Sequence, residues 1–295
     1  MTVAIAGGIL AGWWFLDGGR KDEVRDVALA GNGRIAFVRS SGRVTDIYSV
    51  RPDGRSSVRL THGPGQNNSP SWSPDGTRIA FARRTSVSYN IYVMSVEGDG
   101  VRRLTRQRAI DGSPDWSPDG RTIAFSSNRG PGSGFGIYVM RTDGSDLRQL
   151  VMGLSPAWSP DGTLIAFASL TTGGGDIFLI NAEGQGQANL TDHPAEDRDP
   201  AWAPDGSLIA FASDRDGDFD LYAMDSEGGA IRQLTDIPGD EVDPAWSPDG
   251  TMIAFTRRVG GSFDLYVMRS DGTDLRPLLA TPSFDVTPDW QPLPR

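Results

Sequence analysis

The sequence contains no cysteine in 295 residues, which removes thiol nucleophiles, disulfides and cysteine-based metal sites at once. Histidine is nearly absent too: only His62 and His193 occur, so histidine-rich zinc sites are excluded. Both follow an L-T run, in LTHGPG and LTDHPAED, where a loop hydrogen bond suits them better than catalysis. No G-x-S-x-G elbow is present, and Gly132-Ser133-Gly134 lacks the outer spacing. A phosphate-cradling glycine loop is likewise missing. Positive charge is in deficit, with 28 Lys and Arg against 38 Asp and Glu, a net charge of -10 and a pI near 4.7. That balance argues against a nucleic-acid partner, which requires clustered cations, and makes a basic or cationic partner the natural complement.

What the chain has in quantity is turn chemistry, with 37 Gly and 20 Pro recurring at fixed phase. Five near-copies of one twelve-residue run carry much of it, PAWSPDGTLIAF at residues 156–167 among them. Its tryptophan recurs at Trp72, Trp116, Trp158, Trp202, Trp246 and Trp290, spaced 44, 42, 44, 44 and 44 residues apart. An I-A-F triplet follows each of the first five, and a further triplet, Ile35-Ala36-Phe37, has no tryptophan before it. Next come a D-I-Y-like run, as at Asp220-Leu221-Tyr222, and an R-x-L-T-like run, as at Arg232-Gln233-Leu234-Thr235. Ser-Pro-Asp-Gly is a type I turn by composition: Pro presets φ, Asp suits the third place and Gly accepts positive φ. A later Asp-Gly or Glu-Gly turns the chain again. Four short strands in a period of this length are the signature of a propeller blade.

The expected fold is therefore all-β: six four-stranded antiparallel blades in a ring. The first unit lacks a tryptophan strand, and Trp290 has no strands after it. Residues 285–291 (DVTPDWQ) are expected to supply that missing strand and close the ring, with residues 24–29 as the rival segment. Closure removes open sheet edges.

Ahead of the first unit, residues 3–16 (VAIAGGILAGWWFL) form an uncharged apolar run. As a helix it spans about 21 Å, short of the roughly 30 Å hydrocarbon core. Paired tryptophans suit a membrane interface. A secretory signal would need a basic start and a small-residue cleavage site, and neither is present. An uncleaved transmembrane anchor is expected, with a signal peptide and a packed soluble segment as alternatives. The chain then divides into residues 1–23, anchor and linker, and 24–295, propeller.

The run P-x-W-S-P-D-G-x-x-I-A-F, followed by D-[IL]-Y-x-M and R-x-L-T, resembles the repeat of TolB-type propellers, also called WD40-like or PD40 repeats. The similarity covers about residues 27–292. It implies a six-bladed propeller on the periplasmic side of a bacterial envelope. It further implies a module that grips protein partners, as in the Tol system, and calcium in the central channel for some members. The same repeat also accompanies the catalytic domains of peptidases.

Carboxylates leading into the tryptophan strands are the candidate site. Asp111, Glu196, Asp197, Asp199, Asp240, Glu241, Asp243 and Asp285 are expected to gather at one mouth of the channel. There they would receive a basic peptide or Ca²⁺, or form a plain solvated rim. Asp214, Asp216, Asp218 and Asp220 alternate in SDRDGDFDLY, but the twelfth position of a calcium loop is Asp225 rather than Glu. The sequence thus points to a non-catalytic, membrane-anchored binding or scaffolding module of a membrane or envelope complex. The alternatives are a Tol-like translocation component and an enzyme or metal-dependent binder working at the channel mouth.

Overall fold

The structure, a computed structural model, describes residues 32–63, 65–130, 134–169, 173–279 and 281–293. The apolar run, the division at residue 24 and the rival segment 24–29 lie outside the described residues. Among the described residues, no helix is long and apolar enough to cross a membrane.

Each Ser-Pro-Asp-Gly sequence folds as the turn its residues dictate. In the first copy Gly76 N–H donates to Ser73 O at 2.8 Å, and Gly76 has φ of 66°. The Asp75 carboxylate holds the inside of the turn, accepting from Thr77 N–H at 3.0 Å. The turn joins Gln66–Trp72 to Arg78–Thr85, which continues through Ser88–Ser95 to Arg102–Arg103. These four strands pair in order as an antiparallel ladder.

Four further units repeat this pattern as separate four-stranded sheets, opening with Asp111–Trp116, Leu154–Trp158, Asp197–Trp202 and Asp240–Trp246. The remaining unit joins the first and last strands of the described residues. Phe284–Trp290 pairs antiparallel with Ile35–Ser41, setting Trp290 opposite Ile35 and Asp285 opposite Arg39. The C-terminal strand thus occupies the place expected for it. A single parallel bridge, Thr45 with Gln66, links this unit to the next. Each unit is named below by the tryptophan of its first strand. The first strands also pack on one another in a cycle. That of the Trp72 unit touches those of the Trp116 and Trp290 units, and that of the Trp246 unit touches the Trp290 strand in turn.

Alternation along a strand explains the I-A-F triplet. Ile and Phe point to one face of the sheet and Ala to the other, yet all three are fully buried in Ile79-Ala80-Phe81. The sheet is covered on both faces by its neighbours. One core cluster joins Ala36, Val38 and Ile47 of the Trp290 unit to Trp72, Ile79 and Phe81 of the next. Ala is the size that lets the following sheet approach. Within each sheet the Phe meets an aromatic on the third strand at ring separations of 5.8–6.0 Å, as in Phe37 with Tyr48 and Phe125 with Tyr138. The later turns abut the preceding unit so closely that a Cβ on Gly98, at φ +90°, would lie 2.1 Å from Leu60 O. Only glycine fits there.

Because the strands alternate in direction, all Ser-Pro-Asp-Gly turns lie on one side of the ring, the turn face. The loops leading into the first strands, and those joining second to third strands, lie on the other, the loop face.

Deleting residues 284–295 removes the first strand of the Trp290 unit and uncovers both flanking sheets. The truncated protein is expected to lose its cooperative calorimetric transition. An unchanged melt would show that another segment fills that place.

Candidate functional site

The first strands line a central cavity of about 290 Å³. Each carries a bulge that interrupts its ladder, for example between Arg198 and Ala201 and between Val242 and Ala245. At the bulge sits a residue in the left-handed region: Ser69, Ser113, Ser155, Asp199, Asp243 or Thr287, with φ of 45–53°. Such a conformation costs about 1–3 kcal/mol in a non-glycine residue, and here it recurs at every equivalent position. A bulge re-aims a side chain, and all six of these residues line the cavity.

Two carboxylates of the expected set are therefore in the channel. Asp199 accepts from Ser155 Oγ at 3.0 Å, and Arg198 Nε lies 3.6 Å from its other oxygen. Asp243 accepts from Thr256 Oγ1 at 3.0 Å. Two channel carboxylates were not anticipated, Asp115 and Asp289, which sit between Pro and Trp where other copies have Ser or Ala. Each reaches the next unit: Asp115 accepts from Trp158 N–H at 2.7 Å, and Asp289 from Trp72 N–H at 2.6 Å. Among the described residues, those lining the cavity include no cation. Loss of hydration pushes Asp115, Asp243 and Asp289 up to about 7, the proximity of Asp199 adding to the rise at Asp243. Asp199 is raised for the same reason, against the pull of Arg198.

Four other expected site residues are somewhere else. Asp111, Asp197, Glu241 and Asp285 are fully buried, each on an arginine from the end of the neighbouring second strand. Arg129 Nη2 donates to both oxygens of Asp111 at 2.7 Å, and Thr105 and Ser127 hydroxyls complete the shell at 2.6 Å. Asp285 takes Arg39 bidentately at 2.7 and 2.9 Å. These guanidiniums also stack on the paired aromatics, Arg129 lying 5.0 Å from the Phe125 centroid and Arg215 4.7 Å from that of Tyr222. The rim expected at these four positions is instead a set of internal ion pairs. A carboxylate at the end of a two-sided sheet loses its water and must be paired. Glu241 is the least satisfied: Arg257 reaches one oxygen at 3.0 Å, and burial, with the Asp220 carboxyl close by, pushes its pKa up to about 8.

Glu196 and Asp240 remain at the solvent edge of the loop face, beside Arg198 at 3.5 Å and Arg258 at 3.2 Å. The alternating aspartates do not converge. Asp214 accepts from Glu196 N–H, Asp218 from Gly239 N–H and Asp220 from the Thr235 hydroxyl, while Asp216 takes the Tyr222 hydroxyl. His193 Nδ1 accepts from Ala195 N–H at 3.1 Å, a loop contact as expected. Among the described residues, no group of three or more Asp, Glu or His is placed to hold a metal ion.

The family model of the TolB beta propeller domain matches residues 28–155 and 150–237. The chain belongs to the TolB β-propeller family. No curated protein matches the sequence. Among solved structures, this TolB-family chain is similar to TolB from Acinetobacter baumannii, with a TM-score of 0.81 and 23% identity over 93% of this chain and 71% of the other. A candidate TolB from Agrobacterium tumefaciens gives 0.72 and 22% over 88% and 92%. The hydrazine synthase of Kuenenia stuttgartiensis gives 0.71 and 17% over 90% and 48%. At these identities the likeness is one of fold.

Within the TolB-family repeat, the signal for Asp115 and Asp289 is the residue between Pro and Trp. It reads Ser71, Asp115, Ala157, Ala201, Ala245 and Asp289 around the ring, and the two carboxylates are its departures from small residues.

Two predictions separate structural from channel carboxylates. Asp111→Ala should destabilise the fold by about 3–5 kcal/mol by leaving Arg129 buried and unpaired, whereas Glu196→Ala should change a urea melt by less than about 1 kcal/mol. Equal effects would reverse the assignment. The second concerns pH. Asp115 and Asp289 rise from an ordinary 3.8 to about 7 on folding. Their contribution to stability is thus complete below about pH 4 and lost as pH climbs through 7. The double variant Asp115→Asn/Asp289→Asn is expected to melt higher than the parent at pH 8 and to show a flatter profile from pH 5 to 8. Parallel profiles would show that these carboxylates do not titrate in that range.

Proposed function

We propose that this chain is a non-catalytic binding propeller of six blades, closed by its C-terminal strand, that grips a protein partner at the loop-face mouth of its channel. In this reading residues 1–23 tether the disc, residues 24–295 form it, and it works on the periplasmic face of the envelope as part of a membrane complex. Family membership supports the envelope setting and the protein partner.

The observation that carries the reading is the channel itself: four carboxylates and a ring of hydroxyls line it, and among the described residues no cationic side chain does. Asp199 and Asp243 stand on adjacent first strands, and the charge of Asp199 adds to the rise at Asp243. A Lys or Arg side chain placed between them would relieve that repulsion and restore the charge that burial opposes. A cationic peptide side chain fits better than a metal, given the ligand sets above. Glu196 and Asp240 at the solvent edge would steer such a segment inward. The buried Asp111, Asp197, Glu241 and Asp285 serve the fold.

The test is calorimetric titration of the full chain with a lysine-rich decapeptide. Binding is expected to weaken in Asp199→Asn/Asp243→Asn by roughly tenfold or more, about 1.4 kcal/mol, with the melt retained. It should strengthen as pH rises from 6 to 8, because deprotonation of the channel carboxylates creates the site. No saturable binding, or binding indifferent to the double variant, would overturn the reading.

A further inference from the structure

The loop face carries opposite charge on its two sides. Where the Trp290, Trp72 and Trp116 units meet it, Arg43, Arg84, Arg106 and Arg108 are all exposed. Among the described residues, no carboxylate lies within ion-pair distance of any of the four. The acidic residues of the same stretch, Asp46 and Asp111, are buried on Arg59 and Arg129. Across the ring the loop face is acidic instead, presenting Asp192, Asp216 and Asp236 to solvent.

The basic side is a continuous surface. Gln66 ties its parts together, donating from Nε2 to Arg43 O at 3.3 Å and accepting at Oε1 from Arg84 and from the Tyr89 hydroxyl, both at 3.0 Å. The Arg84 guanidinium lies 5.9 Å from the Tyr89 ring centroid, and Tyr89 bridges to Ile110 beside Arg108. Apolar side chains stand among the cations: Val87 is 75% exposed, Val44 44% and Ile110 43%. Exposed aliphatic groups interleaved with arginine and tyrosine are the composition of an interface core, not of a solvated surface.

We propose that this sector docks an acidic segment of a partner protein, with apolar side chains spaced among its carboxylates. The inference rests on the binding role proposed above and gives that partner a second chemistry: basic where it meets the channel, acidic and apolar where it meets Arg43, Arg84, Arg106 and Arg108. Guanidinium forks match carboxylates bidentately, and the exposed valines and Ile110 gain burial only if the ligand brings apolar groups between its charges. An anionic bilayer fits less well. Asn32, the first described residue, bonds to Asp249 in a Ser-Pro-Asp-Gly turn at 3.0 Å, so the chain comes into the fold at the turn face, opposite this sector. A second copy of the chain also fits less well, because a net charge of -10 on each opposes association.

The test uses fluorescence anisotropy with a labelled twelve-residue peptide of alternating Glu and Leu against the full chain. Saturable binding is expected, weakening with salt and falling by roughly tenfold or more in Arg84→Glu/Arg108→Glu. Both substitutions are at exposed positions, and circular dichroism melts check that the fold survives. The lysine-rich decapeptide should bind that variant as it binds the parent. Loss of both peptides together would indicate damage to the whole face, while failure of the lysine peptide alone would leave this sector standing and the channel reading refuted. The proposal is overturned if the Glu–Leu peptide does not bind, or binds the double variant equally. It is also overturned if anionic phosphatidylglycerol vesicles, but not the peptide, show the Arg-dependent binding, or if light scattering shows Arg-dependent dimers instead.

Discussion

The architecture of this molecule follows from sheets that bury both of their faces. A four-stranded sheet with solvent on one side would need polar residues at alternate positions. Here Ile79, Ala80 and Phe81 are consecutive and all fully buried, so each sheet must have a neighbour on either side. A linear stack always leaves two uncovered ends; a ring leaves none. The C-terminal strand is therefore a requirement of the interior and not an appendage. It completes the sheet begun at Ile35, and its Trp290 joins the cluster that packs that sheet on the Trp246 unit.

The same constraint decides what charged groups can do. At the loop-face end of a unit, a carboxylate on the first strand is enclosed by the next sheet and persists only with a counter-ion. Arg39, Arg129, Arg215 and Arg257 supply it while lying over the paired aromatic rings. Cation and ring geometry together hold these arginines where a free side chain would wander. Such pairs define the ends of the sheets but have little capacity left for a ligand. The channel carboxylates differ. They are short of water and matched only in part, by Arg198 at 3.6 Å from Asp199, so burial raises their pKa values. That contrast in desolvation sets Asp111, Asp197 and Asp285 apart from the channel carboxylates, with Glu241 lying between the two.

Much of this was legible in the sequence. The tryptophan spacing defines the units, Ser-Pro-Asp-Gly defines the turns, and the missing first strand points to DVTPDWQ. The depth of the acidic residues was not legible. Asp111 and Arg129 are 18 residues apart, Asp285 and Arg39 are 246 apart, and only the register between first and second strands brings each pair together. A carboxylate written just before a strand looks like a loop residue, yet Asp111 and Asp197 are the opening residues of theirs. The bulge was equally hidden. It lets Asp199 and Asp243 turn into the channel while Asp197 and Glu241, two residues earlier, are enclosed. No local composition marks it, since its positive φ is borne by Ser, Asp and Thr rather than by glycine.

A repeated architecture also says where to look for function. Pro and Trp of the first strand are the same in all six copies because turning and stacking are the same task at each. Positions that the ring does not constrain are free to differ, and there the symmetry breaks. The bulge residue is hydroxyl in four units and carboxylate in two neighbouring ones. The residue before Trp is carboxylate in only two. The loop face is basic on one side and acidic on the other. A symmetric partner would have no use for such a pattern, whereas a single polypeptide crossing the face would meet each feature once and in order. In the binding role proposed above, these departures from the repeat would suit an asymmetric ligand that spans the disc from its arginine side to the channel.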